Sequence, residues 1–131
     1  FSSLAVSGTS TLAGLTVITS TNAHAFSGSD VTIDMTTHTS ILTVTPGEGT
    51  GQAQNGGDFT LGSGEIGQIK VLVHGDNSSI AVTVTNASWA GAGTIQMGTG
   101  TSAGKSCTLQ YLTVGGSEKW VCIGNNDCTF S

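Results

Sequence analysis

This chain has no arginine, three lysines and one proline in 131 residues, and its aromatic side chains make up only 5% of it. Each scarcity excludes something. Neutralising a phosphate backbone takes clustered cations. Lys70, Lys105 and Lys119 are far apart in sequence and the net charge is −5, so a nucleic-acid partner is not expected. No stretch approaches the roughly 18 consecutive apolar residues of a membrane-spanning helix. The opening FSSLAVSGTS carries neither the basic start nor the apolar run of a signal peptide, and the missing initiator Met points to a fragment of a longer protein. With few aromatics, a core must rest on Val, Ile, Leu and Ala.

What fills the space is glycine, 20 residues of it, with Ser and Thr and short runs in which Val, Ile or Leu alternates with Thr. These residues build pleated sheet and tight turns. Burying a small aliphatic contributes roughly 1.5–3 kcal/mol. Ordering the backbone costs about 1–2 kcal/mol per residue, and more at glycine. A lone subunit is therefore marginal, and self-association is the simplest remedy. The low charge, 8% of residues, suits an interface core.

Residues 1–27 read as a separate, extended segment. Leu4 and Val6 recur as Leu15 and Val17, an offset of eleven, and Leu12 adds a further apolar position. Such a stripe makes no core alone, but it is buried if identical chains pool their stripes around a common axis. Residues 28–131 read as the folded head. VTIDMT places Val31, Ile33 and Met35 on one face, with Asp34 opposite. SILTVT (40–45) alternates through Leu42 and Val44. PGEGTGQAQNGG (46–57) is a long loop. DFTLGSG is a short strand and turn. IGQIKVLVHG (66–75) is the strongest strand, with Ile69, Val71 and Val73 together on one face. GDNSS is a turn, and IAVTVTN points Ile80, Val82 and Val84 inward. GAGTIQMG is a short strand between glycines. SCTLQYLTV and KWVCIGN flank GGSE as a hairpin. Strands at roughly ten-residue spacing with no amphipathic helix imply an antiparallel β-sandwich or a jelly-roll-like domain.

Motifs with a chemical look fail on context. GSGEIG (62–67) has the glycine spacing of a dinucleotide fingerprint, but a strand follows it rather than a helix. GTSAGKS (100–106) ends in Gly-Lys-Ser, yet Thr99 stands where a phosphate-binding loop needs glycine. No G-x-S-x-G elbow is present. His24, His38 and His74 have no i, i+4 partner, the carboxylates fall mostly in loops, and sugar-stacking aromatics are few. No catalytic residue, cofactor or metal is expected. The odd number of cysteines, Cys107, Cys122 and Cys128, leaves three states open: one pair with one free thiol, an intersubunit bond, or three buried thiols. Trp120 reads as a packing residue on the face opposite Val121 and Ile123. Trp89, at a strand exit, reads as an anchor of its loop.

Several segments together carry a resemblance: Gly67, Ile69 and Lys70; Val82 to Val84; Thr108 to Tyr111; and K-W-V-C-I-G-N from Lys119 to Asn125. Over about residues 60–126 the chain resembles the small all-β head domains of bacteriophage structural proteins of the capsid-decoration, head-fibre and tail-fibre type. LAVSGTSTLAGLTV is similar to the repetitive shaft segments that precede such heads. Cys122, Cys128 and the 46–57 loop depart from the pattern. The resemblance implies a non-enzymatic homotrimer on the virion surface. Its partners would be the major capsid protein or other virion proteins, and Leu4, Val6, Leu12, Leu15 and Val17 would form the capsid-attachment and trimer contact. The alternative is the receptor-binding tip of a tail fibre or adhesin that recognises host glycans, with His74 and Trp89 as the candidate ligand-binding surface.

Overall fold

The computed structural model describes residues 21–44, 59–98 and 103–131. Ten strands and no helix occur among them: β1 (Thr21–Phe26), β2 (Val31–Thr32), β3 (Thr39–Val44), β4 (Phe59–Leu61), β5 (Ile69–His74), β6 (Ala81–Val84), β7 (Thr94–Gln96), β8 (Ser106–Val114), β9 (Ser117–Asn126) and β10 (Thr129–Phe130). They form two five-stranded sheets. Sheet A has the order β1-β3-β5-β8-β9 and sheet B the order β10-β7-β6-β4-β2. Phe26, Leu42, Leu72, Leu109 and Trp120 of sheet A and Phe59, Leu61, Val82, Val84 and Ile95 of sheet B belong to one buried cluster, so the two sheets form a sandwich over a shared core.

The layers are as expected, but the strand directions are not. From β1 to β6 the chain alternates between the sheets, and β1, β3 and β5 run parallel, as do β2, β4 and β6. Only the second half is antiparallel. The first half therefore winds like the turns of a flattened coil. The physical reason lies in the connectors. Residues 27–30, between β1 and β2, are four. Fully extended they reach about 14 Å, enough to cross the roughly 10 Å between packed sheets. A hairpin uses loops of the same length, so periodicity and turn signals do not tell the two apart.

Residues 21–26, assigned from the sequence to the extended segment, are instead β1. Thr21 to Phe26 pair in register with Thr39 to Val44, and Phe26 enters the core with its ring 6.5 Å from that of Phe59. The folded unit thus includes residues on both sides of the expected 27/28 division. The apolar positions Leu4, Val6, Leu12, Leu15 and Val17 and the 46–57 loop lie outside the described residues.

The hairpin is where the sequence placed it. β8 and β9 join through Gly115 and Gly116, at φ 59° and 79°, the mirror-image turn that suits strand twist and that glycine adopts without strain. A bulge opposite Thr108 and Leu109 leaves Ile123 as the extra residue, and its side chain is exposed. Trp120 is fully buried, stacks edge-on to Tyr111 at 5.1 Å, and donates from Nε1 to the Gly62 carbonyl at 2.8 Å. Of the three glycines in GSGEIG only Gly67 has positive φ, closing a turn in which the Gln68 N–H donates to the Glu65 carbonyl. Gly64 serves close approach: a Cβ there would sit 2.7 Å from the Trp120 ring.

Candidate functional site

The molecule's polar interior starts from an inversion in β5. Ile69, Val71 and Val73 form the more apolar face of this strand, yet it is Lys70, Leu72 and His74 that point into the core. Lys70 is fully buried and its three N–H donors are all used. Nζ donates to the Asp34 carbonyl at 2.6 Å, the Thr37 carbonyl at 2.7 Å and Thr37 Oγ1 at 3.1 Å. The ammonium group thus clamps the turn between β2 and β3.

Asp34 was expected in a strand but stands at the head of that turn. Oδ1 accepts from the N–H and Oγ1 of Thr36, at 2.8 and 2.7 Å, and Oδ2 accepts from Asn22 Nδ2 at 3.2 Å. An aspartate that bonds the backbone two residues on competes with the strand ladder, so β2 ends at Thr32. The Asp34 N–H donates to His24 Nε2 at 3.3 Å, which makes that nitrogen an acceptor and the ring neutral. Burial, and then the Lys70 charge, hold His24 below its ordinary pKa, against a smaller opposite pull from Asp34. Burial likewise lowers Lys70, partly offset by Asp34. The hydrogen bonds from Thr36 are the main cause that holds Asp34 below the usual carboxylate range.

A second clamp lies at the other end of β5. His74 is buried, with Nε2 3.4 Å from Asp76 Oδ1. Asp76 Oδ2 accepts from the Val44 N–H at 2.6 Å, while Oδ1 accepts from the N–H and Oγ of Ser78. Burial alone would raise the Asp76 pKa, but these hydrogen bonds prevail and lower it.

Acid is therefore expected to weaken the fold in two stages. His24 titrates lower in the folded chain than in the unfolded one. Its contribution is complete above pH 6.5 and is lost as pH falls through the lower folded value. Asp34 and Asp76 behave alike below 3.8. Urea midpoints at pH 7.5, 5.5 and 3 check this, and His24→Gln should flatten the first stage only.

The hydrogen bonds of these groups go to the chain itself. No pocket opens among the described residues, and no group of three or more His, Cys, Asp and Glu side chains there is arranged to hold a metal ion. His38 Nδ1 lies 3.0 Å from Thr39 Oγ1, and Lys105 forms an ion pair with Asp127 at 2.7 Å. The structure does not bring His74 and Trp89 together as a surface. His74 is interior, and half-buried Trp89 stacks edge-on to Phe130, 4.9 Å between centroids, anchoring its loop near β10.

What the fold does present is two unlike outer faces. On sheet B, Thr32, Thr60, Thr83 and Thr94 are successive register partners, a row of hydroxyls across four strands. On sheet A, the outward face of β3, β5, β8 and β9 carries Ile41, Ile69, Val71, Val73, Leu112 and Val121, all half-buried or exposed, among the polar but uncharged Thr39, Thr43, Ser106, Thr108 and Gln110. Comparison with protein-family models, with curated proteins and with solved structures finds no match to this chain. The outer face of sheet A is thus the candidate functional site on its geometry alone. Periodicity located its side chains, but reading the most apolar face of β5 as the inner one would have hidden it.

Proposed function

We propose that this chain is a non-enzymatic structural protein of a bacteriophage particle, a homotrimeric decoration or fibre protein whose copies pack through the outer face of sheet A. The observation that carries the reading is the inversion of β5. The central strand of sheet A spends Lys70 and His74 on the interior and turns Ile69, Val71 and Val73 outward. Lys119 is the one charged side chain among the outward positions of this sheet's described strands. Depletion of charge with retention of aliphatic surface is what an interface core requires.

The dimensions support it. Five strands and six residues make a face of roughly 24 by 20 Å, a little over half of the ~800 Å² each partner gives a standard interface. Leu4, Val6, Leu12, Leu15 and Val17, in the residues that lead into β1, supply the remainder and the attachment to the major capsid protein or other virion proteins. The resemblance of residues 60–126 to phage head domains supplies the setting, the virion surface.

A second reading, a receptor-binding tip for host glycans, draws support from the threonine row of sheet B, whose hydroxyls donate and accept in a regular array. It has to rest on that row, because His74 is interior and the Trp89 ring is engaged with Phe130.

Light scattering decides the first reading. The intact chain is expected to have three times the monomer mass. Val71→Lys, a charge placed in the middle of the sheet A face, is expected to reduce it to the monomer with an unchanged circular dichroism spectrum. A wild-type chain that stays monomeric up to about 100 µM, well above the Kd of a micromolar complex, overturns the proposal.

A further inference from the structure

The three cysteines are not equivalent. Cys107 points into the core from β8, and its register partner on β9 is Asn125. Asn125 grips Cys128 at both backbone groups. Its Nδ2 donates to the Cys128 carbonyl at 2.9 Å, and its Oδ1 accepts from the Cys128 N–H at 2.8 Å. This grip folds residue 128 back toward the inner side of the β8–β9 pair, where its thiol donates to the Asn126 carbonyl at 3.8 Å and lies close enough to the Cys107 thiol that each shifts the other's ionisation. Both residues are buried in the same apolar cluster. Cys122 is different. It is paired with Leu109, half-buried, and its thiol donates to the Gly124 carbonyl at 3.4 Å.

We propose that Cys107 and Cys128 are an oxidisable pair that closes into an intramolecular disulfide, leaving Cys122 as the free thiol. The oxidant is a low-molecular-weight disulfide such as oxidised glutathione. The Cys128 thiolate attacks one of its sulfurs and releases one glutathione thiolate. Cys107 then loses its proton to solvent, attacks the mixed disulfide at the Cys128 sulfur and expels the second glutathione. Two protein thiols are oxidised by two electrons, and one glutathione disulfide becomes two glutathione molecules. Cys128 is the entry point, because the neighbouring Cys107 thiol and the Lys105 ammonium lower its pKa against the opposing effects of burial and Asp127, whereas the Cys128 sulfur and burial push Cys107 up.

The position gives the bond a consequence. Residues 127 and 128 carry the chain from β9 in sheet A to β10 in sheet B. A bond from Cys128 to Cys107 ties that crossing to the inner strand β8 and staples the two sheets, keeping β10 on β7. It is intramolecular, so it stands whether or not the chain forms a trimer.

The test uses the intact chain, equilibrated with oxidised glutathione or with dithiothreitol, then denatured, alkylated and mapped by mass spectrometry. The expected product has one alkylated cysteine, Cys122, and a cross-linked peptide pair containing Cys107 and Cys128. Its melting temperature is raised by on the order of 10 °C, as for a loop of about 20 residues in a domain of this size. Cys122→Ser should give the same cross-link. A bond involving Cys122, a disulfide between chains, or three free thiols under conditions that oxidise a model dithiol overturns the proposal. The wild-type peptide map decides this even if Cys107→Ser and Cys128→Ser fail to fold.

Discussion

Replacing Lys70 by alanine is expected to cost roughly 3–5 kcal/mol of stability, the range for losing a large buried side chain together with its hydrogen bonds. Set against the 5–15 kcal/mol total of a typical domain, this brings the chain close to unfolding at room temperature. The four-carbon stem fills core space between the sheets, and the ammonium satisfies the carbonyls of Asp34 and Thr37 and the Thr37 hydroxyl. Lys70→Met keeps most of the volume and removes only the donors, so it should cost roughly 2–3 kcal/mol. The difference between the two variants separates packing from clamping. Urea unfolding measures both, and hydrogen exchange at the N–H of Thr36, which bonds Asp34 Oδ1, reads the turn directly. A Met variant as stable as the wild type, with unchanged exchange, would show that the buried ammonium contributes nothing net.

Two truncations are expected to differ sharply. Removing residues 1–20 should leave the sandwich folded while weakening self-association. Removing residues 1–27 should abolish the cooperative melt. The second deletion takes β1, and with it six register pairs to β3, the Phe26 side chain in the core, the Asn22 bond to Asp34 and the His24 acceptor for the Asp34 N–H. Loss of a buried phenylalanine side chain alone costs about 3–5 kcal/mol, and the parallel edge of β3 would be bared as well. Circular dichroism melts of the two fragments, with light scattering on the shorter deletion, make the comparison. Identical melts would mean that β1 contributes nothing to the fold.

The proposed role and these variants meet in β5. A strand that is aliphatic on one side and carries lysine and histidine on the other would, by hydropathy, bury the aliphatic side. Here the cost of interring Lys70 is met by three acceptors, the carbonyls of Asp34 and Thr37 and the Thr37 hydroxyl, and the cost of interring His74 by Asp76. The freed aliphatic face is then available to other copies of the chain. Val71→Lys tests that face and Lys70→Met tests the clamp, one position apart on opposite sides of a single strand.

Local chemistry was legible because it is written in neighbouring residues. Gly115-Gly116 specifies a hairpin turn, the alternation in IAVTVTN faces Val82 and Val84 inward, and Asp76 two residues before Ser78 makes a turn. The choice of all-β structure rests on the same short-range terms, glycine and threonine in place of helix formers. Three features were decided only in three dimensions. Apart from residues 45–58, the crossings from β1 to β6 use connectors of four to seven residues, lengths that serve a hairpin and a sheet-to-sheet crossing equally, so strand direction depended on which sheet could bury each strand's apolar side. The inward turn of Lys70 depended on carbonyls at Asp34 and Thr37, more than thirty residues earlier in the chain. The placing of Cys128 on the inner side of β8 and β9 depended on Asn125 folding the chain end back. Sequence pattern reports what a residue prefers on average, whereas burial of a charge or a thiol is settled by whether distant groups arrive to satisfy it.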